Sequence, residues 1–126
     1  MGMYTELQLN CELDSIDYGI LFALGEHDKN VGFENVWCGM LQGCSAYFPY
    51  NGRSEYEVDR WGHTYINIRC NIKNYKNQLE EFLSYLHQAI KAFDGDFLGF
   101  IRYEEDQLPI LLIYRDDKIE YKEIKA

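Results

Sequence analysis

The chain has 126 residues, of which 47% are hydrophobic, and its formal net charge is −9. This length and composition predict a single domain, residues 1–126, with its own hydrophobic core. Ten acidic but only three basic side chains lie in residues 1–63. That balance argues against nucleic acid as a partner, because phosphate contacts need clustered basic residues.

The apolar runs are too short to span a bilayer, and the N-terminus lacks the basic and apolar regions of a secretory signal. We therefore expect a cytoplasmic protein that has no membrane partner.

The first predicted elements are a strand over residues 6–13 and a short helix. Apolar residues alternate with polar ones along the strand, as one buried face requires; they are Leu7, Leu9, Cys11 and Leu13. Asp14 or Ser15 is the predicted N-cap of the helix, which carries Ile16 to Leu24. Gly25 stands where a left-handed residue often ends a helix.

The middle of the chain, from Glu26 to Gly62, has almost no regular periodicity and is rich in aromatic residues. Long aromatic loops on a compact scaffold are common recognition sites, although such rings can equally cover one end of a sheet. Arginines beside aromatic rings are typical interface anchors, or else internal cation–π contacts. The residues predicted to bind a partner protein are Trp37, Tyr50, Arg53, Tyr56, Arg60 and Trp61.

The cysteines form no recognisable metal motif. Five residues separate Cys38 from Cys44, which is the wrong spacing for a zinc knuckle, and a reducing cytoplasm disfavours a disulfide between them. Cys11 and Cys70 fall in phase with the apolar positions of their strands and are predicted core residues. Since no catalytic constellation is recognisable either, we predict no catalytic residue, no metal and no cofactor.

A second strand over residues 65–72 alternates in the same way and precedes a long helix. Asn74 is the predicted N-cap of this helix and Asp94-Gly95 its exit. Apolar residues spaced by three and four predict one buried stripe; they are Tyr75, Leu79, Phe82, Leu83, Leu86, Ile90 and Phe93.

Three further strands are predicted after the helix. One covers residues 97–104, and the apolar run 110–114 is typical of a strand covered on both faces, at the centre of the sheet. Asp116-Asp117 is a turn signal before a last edge strand that carries lysines. The element order predicts an α+β domain with a ferredoxin-like split βαβ sheet (β-α-β-β-α-β), a C-terminal hairpin extension and both helices on one face.

The polar face of that sheet is a second candidate surface. It carries Gln8, Asn10, Asn67, Arg69 and Asn71, whose side chains suit a small polar ligand or a second subunit, although solvated strand residues need no such role. An anionic ligand is a further alternative. The residues predicted to bind it are Arg53, Arg69, Arg102, Asn67 and Asn71.

Four stretches resemble those of small uncharacterised bacterial and phage-borne proteins. They are MYTELQL (residues 3–9), SAYFP (45–49), RCNIKNY (69–75) and FLGFIRYEE (97–105). The resemblance covers most of the chain. It implies an origin on a prophage or another mobile element, and no established activity or site.

The preferred functional hypothesis is a small acidic, non-enzymatic binding protein. It would act as an inhibitor or immunity-type factor that engages a protein partner through the aromatic loops and the acidic half. The alternative is a small anionic-ligand binder or modest enzyme with an arginine-lined pocket. A homodimer formed through the sheet face is a third hypothesis.

Overall fold

A computed structural model describes residues 4–25, 39–43 and 54–124. Within these ranges seven strands are found: β1 (Tyr4–Leu13), β2 (Glu55–Val58), β3 (Thr64–Lys73), β4 (Ile90–Lys91), β5 (Phe97–Tyr103), β6 (Ile110–Arg115) and β7 (Lys118–Glu123). The two α-helices there are α1 (Tyr18–Ala23) and α2 (Gln78–Leu86), and short 3-10 turns cover residues 40–42, 75–77 and 87–89. Neither described helix is long and apolar enough to cross a membrane.

All seven strands belong to one sheet in the order β2-β3-β1-β5-β6-β7, and every pairing is antiparallel. The two-residue strand β4 pairs with β1 beyond the end of β5. Leu7 of β1 lies opposite Cys70 of β3 and Ile101 of β5. Successive side chains point to opposite sides of a strand, so this register puts the apolar residues of three strands on one side.

The core lies on that side, between the sheet and both helices. Ile20 of α1 and Phe82 of α2 are buried in one cluster with Leu9 of β1 and Ile68 of β3. We call this side of the sheet the core face and the opposite side the outer face. Cys70 is buried in the same cluster, which confirms it as a core cysteine, whereas Cys11 is half-buried and packs against the cluster.

The predicted ferredoxin-like α+β fold is wrong. The described residues form a seven-stranded antiparallel sheet, and α2 is their one helix of more than two turns, whereas the prediction required two such helices. α1 has only six residues. It starts later than predicted because Asp17, rather than Asp14 or Ser15, accepts the hydrogen bond from the backbone N–H of Ile20.

α2 is also shorter than predicted. Its buried stripe is confirmed at four positions, which are Leu79, Phe82, Leu83 and Leu86. Ile90, however, lies in β4 opposite Leu13 of β1, because pairing with the sheet replaces a further helical turn. Phe93 is 84% exposed and is not part of the stripe. Asn74 does not directly precede α2, yet its side chain accepts a hydrogen bond from the backbone N–H of Leu79 at 2.8 Å.

The C-terminal hairpin follows the predicted pattern with one exception. Asp116 and Asp117 have positive φ angles of 53° and 58° and form the two-residue turn between β6 and β7. β7 is the last strand of the described sheet, as its lysines predicted. β6 is not the centre of the sheet, because β1 and β5 occupy the middle of the strand order.

Candidate partner-binding face

Three of the six residues predicted to bind a partner lie on the β2–β3 hairpin. Tyr56 is in β2, and Arg60 and Trp61 are in the turn that follows. The other three, Trp37, Tyr50 and Arg53, lie outside the described residues. Cys38 and Cys44 also lie outside them.

Between α1 and β2 the described residues 39–43 and Ser54 form a hydrogen-bonded junction beside β3. The side chain of Gln42 donates to the carbonyl oxygens of Leu24 and Ser54, at 3.1 and 2.5 Å, and accepts the backbone N–H of Ser54 at 3.0 Å. The buried hydroxyl of Ser54 donates to the carbonyl oxygen of Leu41 and accepts the backbone N–H of Arg69. These bonds fix the end of α1 and the start of β2 close together.

The turn of the hairpin, residues 59–63, holds an exposed indole on an ordered backbone; we call it the hairpin tip. The carboxylate of Asp59 accepts the backbone N–H groups of Trp61 and His63, each at 2.9 Å. Trp61 is 70% exposed, and the guanidinium carbon of Arg60 lies 4.2 Å from the centroid of its ring, in cation–π contact. Because the backbone of this turn is already fixed by hydrogen bonds, a partner that binds the ring does not have to order the loop.

A concavity of about 480 Å³ crosses β2, β3 and β1 on the outer face. We call it the acidic concavity; its outer-face lining residues are Asn10, Glu12, Glu55, Glu57, Tyr65 and Asn67. The sheet register explains this grouping, because Glu12 and Glu57 lie opposite Tyr65 on either side of it. Carboxylates from two strands therefore surround one aromatic ring.

These charges act on Tyr65. Its pKa is raised, first by partial burial and then by the negative charges of Glu12, Asp59 and Glu57. The phenol therefore stays neutral at physiological pH. A neutral ring in a negative potential favours a positively charged group above its face.

Glu12 lies where the acidic concavity meets a second one. Its Oε2 atom is 3.1 Å from Nδ1 of His63 and 3.5 Å from Nζ of Lys91. The hydrogen bond from His63 is the largest influence on the pKa of Glu12 and lowers it; partial desolvation opposes this effect, and the charge of Lys91 adds to it. Glu12 is therefore ionised at neutral pH.

The second concavity measures about 630 Å³ and is the part of the outer face that the sequence did not predict. We call it the phenylalanine concavity, because Phe93 and Phe97 line it together with Lys91 and the shared Glu12. Helical spacing predicted that Phe93 is buried, but both rings are exposed, Phe93 to 84% and Phe97 to 60%. The signal that could have separated both rings from the core was the Asp94-Gly95 turn between them.

Arg102, predicted to bind an anion, is held inside the protein's own framework. Its Nε donates to the buried carboxylate of Glu6 at 2.8 Å, and its Nη1 donates to the carbonyl oxygen of Asp106 at 3.2 Å. This guanidinium neutralises a carboxylate of the same chain.

The other described residues predicted for the anion site are alternate residues of β3 and share its outer face. Asn67 lines the acidic concavity, where carboxylates would repel an anion. Asn71 is 1% exposed and lies opposite Glu6 of β1. Arg69 is half-buried in β3, two residues before Asn71, and Arg53 lies outside the described residues.

Neither a metal cluster among the described residues nor a known relative indicates a function for the outer face, so its shape and charge are the basis for a proposal. Across residues 4–25, 39–43 and 54–124, no three His, Cys, Asp or Glu side chains group as a metal site would require. No protein-family model, curated protein or solved structure matches this chain.

Proposed function

We propose that this is a non-enzymatic binding protein that engages a partner protein through its outer face and hairpin tip. The observation that carries the proposal is the exposed Trp61 ring, set on a hydrogen-bonded turn next to the acidic concavity. Tryptophan and arginine are the commonest energetic anchors of protein interfaces. Here Arg60 and Trp61 stand side by side.

The partner segment that this face fits is basic and aromatic or aliphatic. A lysine or arginine side chain lying over Tyr65 meets the carboxylates of Glu12, Glu55 and Glu57. An apolar side chain a few residues away covers Phe93 and Phe97, which otherwise remain exposed. The two concavities share the Glu12 carboxylate, so one continuous segment can occupy both.

The resemblance to phage-borne proteins implies only an origin on a mobile element, and our proposal adds that the chain acts there as an inhibitor or immunity-type factor. Such a factor acts by covering a functional surface of its partner. The acidic outer face suits a partner whose own surface is basic.

Capture of the partner tests this proposal. Tagged wild-type chain and Trp61→Ala are used to recover binding proteins from the lysate of a host cell, with quantification by mass spectrometry. Tyr75→Ala is the matched control, because Tyr75 is also exposed but lines neither concavity.

The expected result is a partner that Tyr75→Ala recovers as well as the wild type, and Trp61→Ala at least tenfold less. Its binding should also weaken with added salt, because opposite charges meet across the interface. Recovery of no partner, or equal recovery by all three proteins, would contradict the proposal.

A further inference from the structure

The outermost strand, β7, has one side without a partner strand among the described residues. In a two-residue hairpin the flanking residues, here Arg115 and Lys118, exchange both backbone hydrogen bonds. The alternation along β7 then directs the backbone N–H and C=O groups of Ile119, Tyr121 and Glu123 away from β6. This row of donors and acceptors can continue the sheet.

We propose that a second copy of this chain pairs with that edge, antiparallel, about a two-fold axis that passes beside Tyr121. In this register Glu120 lies opposite Lys122 of the second copy, and Lys122 opposite its Glu120. Tyr121 lies opposite itself. The two sheets join into one continuous sheet, and both core faces lie on the same side.

Charge selects this register over its neighbours. The neighbouring registers that keep the hydrogen-bond pattern are shifted by two residues. A shift in one direction places Lys118 opposite Lys122 and Glu120 opposite itself. A shift in the other direction places Lys122 opposite itself. Like charges directly opposite each other are destabilising, whereas opposite charges stabilise a cross-strand pair. Lysines usually protect an edge strand from association, but in this register each Lys122 meets a glutamate.

An open groove and an exposed ring lie at this edge of the sheet. A groove of about 380 Å³ runs between α2 and β7 and is lined by Leu83, His87, Ile119 and Tyr121. Tyr121 is 42% exposed, so pairing with its own copy covers apolar area that is open in the single chain. Burial and then the charge of Glu80 raise the pKa of Tyr121 to about 12, so it stays neutral in the dimer.

Glu120 is available for this contact although it already has an internal partner. Its Oε2 atom accepts a hydrogen bond from Nε of Arg115 at 2.8 Å, and a carboxylate has a second oxygen that can accept from a lysine. β7 is also at the opposite end of the strand order from β2. Dimerisation therefore does not occupy the acidic concavity, and the two proposals can fail independently.

Charge reversal tests the register. Sedimentation velocity is measured for the wild type, for Lys122→Glu, for Glu120→Lys, and for an equimolar mixture of the two variants. We expect the wild type to be a dimer at micromolar concentration and each variant, in which like charges face each other, to be a monomer. In the mixture, one chain carries glutamate at both positions and the other carries lysine at both. The mixture should therefore restore a dimer, because opposite charges again face each other across the two chains.

A wild type that is monomeric up to a few hundred micromolar overturns the proposal. So do single variants that dimerise as the wild type does, or a mixture that stays monomeric. A folding defect cannot mimic the expected pattern, since a misfolded chain would not regain association on mixing.

Cysteine cross-linking tests the position of the axis. Hydrogen-bonded residues opposite each other have Cα atoms about 5.5 Å apart, within the range of about 4.4–6.8 Å that a disulfide spans. Tyr121→Cys should therefore cross-link to its copy under copper phenanthroline. Ile119→Cys should not, because its copy lies four residues along the strand, about 13 Å away. The wild type is the control for cross-linking through the native cysteines. If Ile119→Cys cross-links as fast as Tyr121→Cys or faster, this register is wrong.

Discussion

The two faces of the sheet differ in the burial and polarity of their side chains. On the core face of β1, Leu7 and Leu9 are fully buried beneath the helices. On the outer face of the same strand, Asn10 is exposed and Glu12 lines two open concavities. Alternate residues of one strand thus serve different purposes, so stability and binding should respond to separate sets of substitutions.

The largest effect on stability is expected from Phe82→Ala on the core face. Removing a fully buried ring should lower the free energy of unfolding by about 3–5 kcal/mol, as measured by urea denaturation. The matched variant is Phe93→Ala on the outer face. Because Phe93 is largely exposed, its removal should change stability by less than about 0.5 kcal/mol. A similar loss of stability in both variants would contradict the assignment of Phe82 to the core face and Phe93 to the outer face.

The second prediction concerns the outer-face pair of Arg102 with buried Glu6. Arg102→Met removes the guanidinium that contacts the buried Glu6 carboxylate, which should cost about 2–4 kcal/mol. Lys91→Met is the control, since Lys91 is exposed and lies 3.5 Å from Glu12; exposed pairs contribute about 0–1 kcal/mol. Equal urea midpoints for the two variants would show that the Glu6–Arg102 pair is not a buried structural contact.

A smaller, pH-dependent effect is expected on the core side, at Tyr85. Its hydroxyl donates to Asp17 at 2.5 Å, and burial, followed by this bond and the charge of Asp17, raises its pKa from 10.0 to about 12. The unfolded chain loses the proton first, so this contribution is complete below pH 10.0 and is lost as pH rises to about 12. After allowing for solvent screening, the loss is on the order of 1 kcal/mol.

Thermal unfolding of the wild type and Tyr85→Phe between pH 9 and pH 12 measures this contribution. The two stability curves should converge as pH rises. Curves that remain parallel throughout that range would contradict the assignment to Tyr85.

The smallest effect on stability is expected from Trp61→Ala at the hairpin tip. Because the ring is exposed and the turn is fixed through the Asp59 carboxylate, the free energy of unfolding should change by less than about 0.5 kcal/mol. Partner recovery should nevertheless fall at least tenfold. A large loss of stability would mean that the indole is structural.

The sequence predicted those parts of the fold whose pattern is local. Alternation located β1 and β3, and Asp116-Asp117 located the last hairpin, because a two-residue turn with positive φ angles has its own sequence signature. The extent of the helices was not predictable in this way. α2 ends at Leu86, and a 3-10 turn then leads to Ile90, which pairs with Leu13 of β1. That contact depends on the register of the whole sheet.

The candidate site was predictable to a similar degree. Residue type and local context predict Arg60 and Trp61 as interface residues, and the Trp61 ring is exposed. The pairing of Glu6 with Arg102, 96 residues away in sequence, has no local signal. Phe93 fitted a helical stripe, and only the early end of α2 leaves it on the outer face.

The most direct test of the account is an NMR titration of the ¹⁵N-labelled chain with a short peptide that contains lysine and phenylalanine. A peptide with glutamate in place of lysine is the control. Shift changes should appear only with the lysine peptide and should be confined to the two concavities and the hairpin tip, at Asn10, Glu12, Glu57, Tyr65, Phe93, Phe97 and the indole N–H of Trp61. Changes centred on β6 and β7, or equal changes with both peptides, would contradict the claim that the acidic outer face is the binding surface.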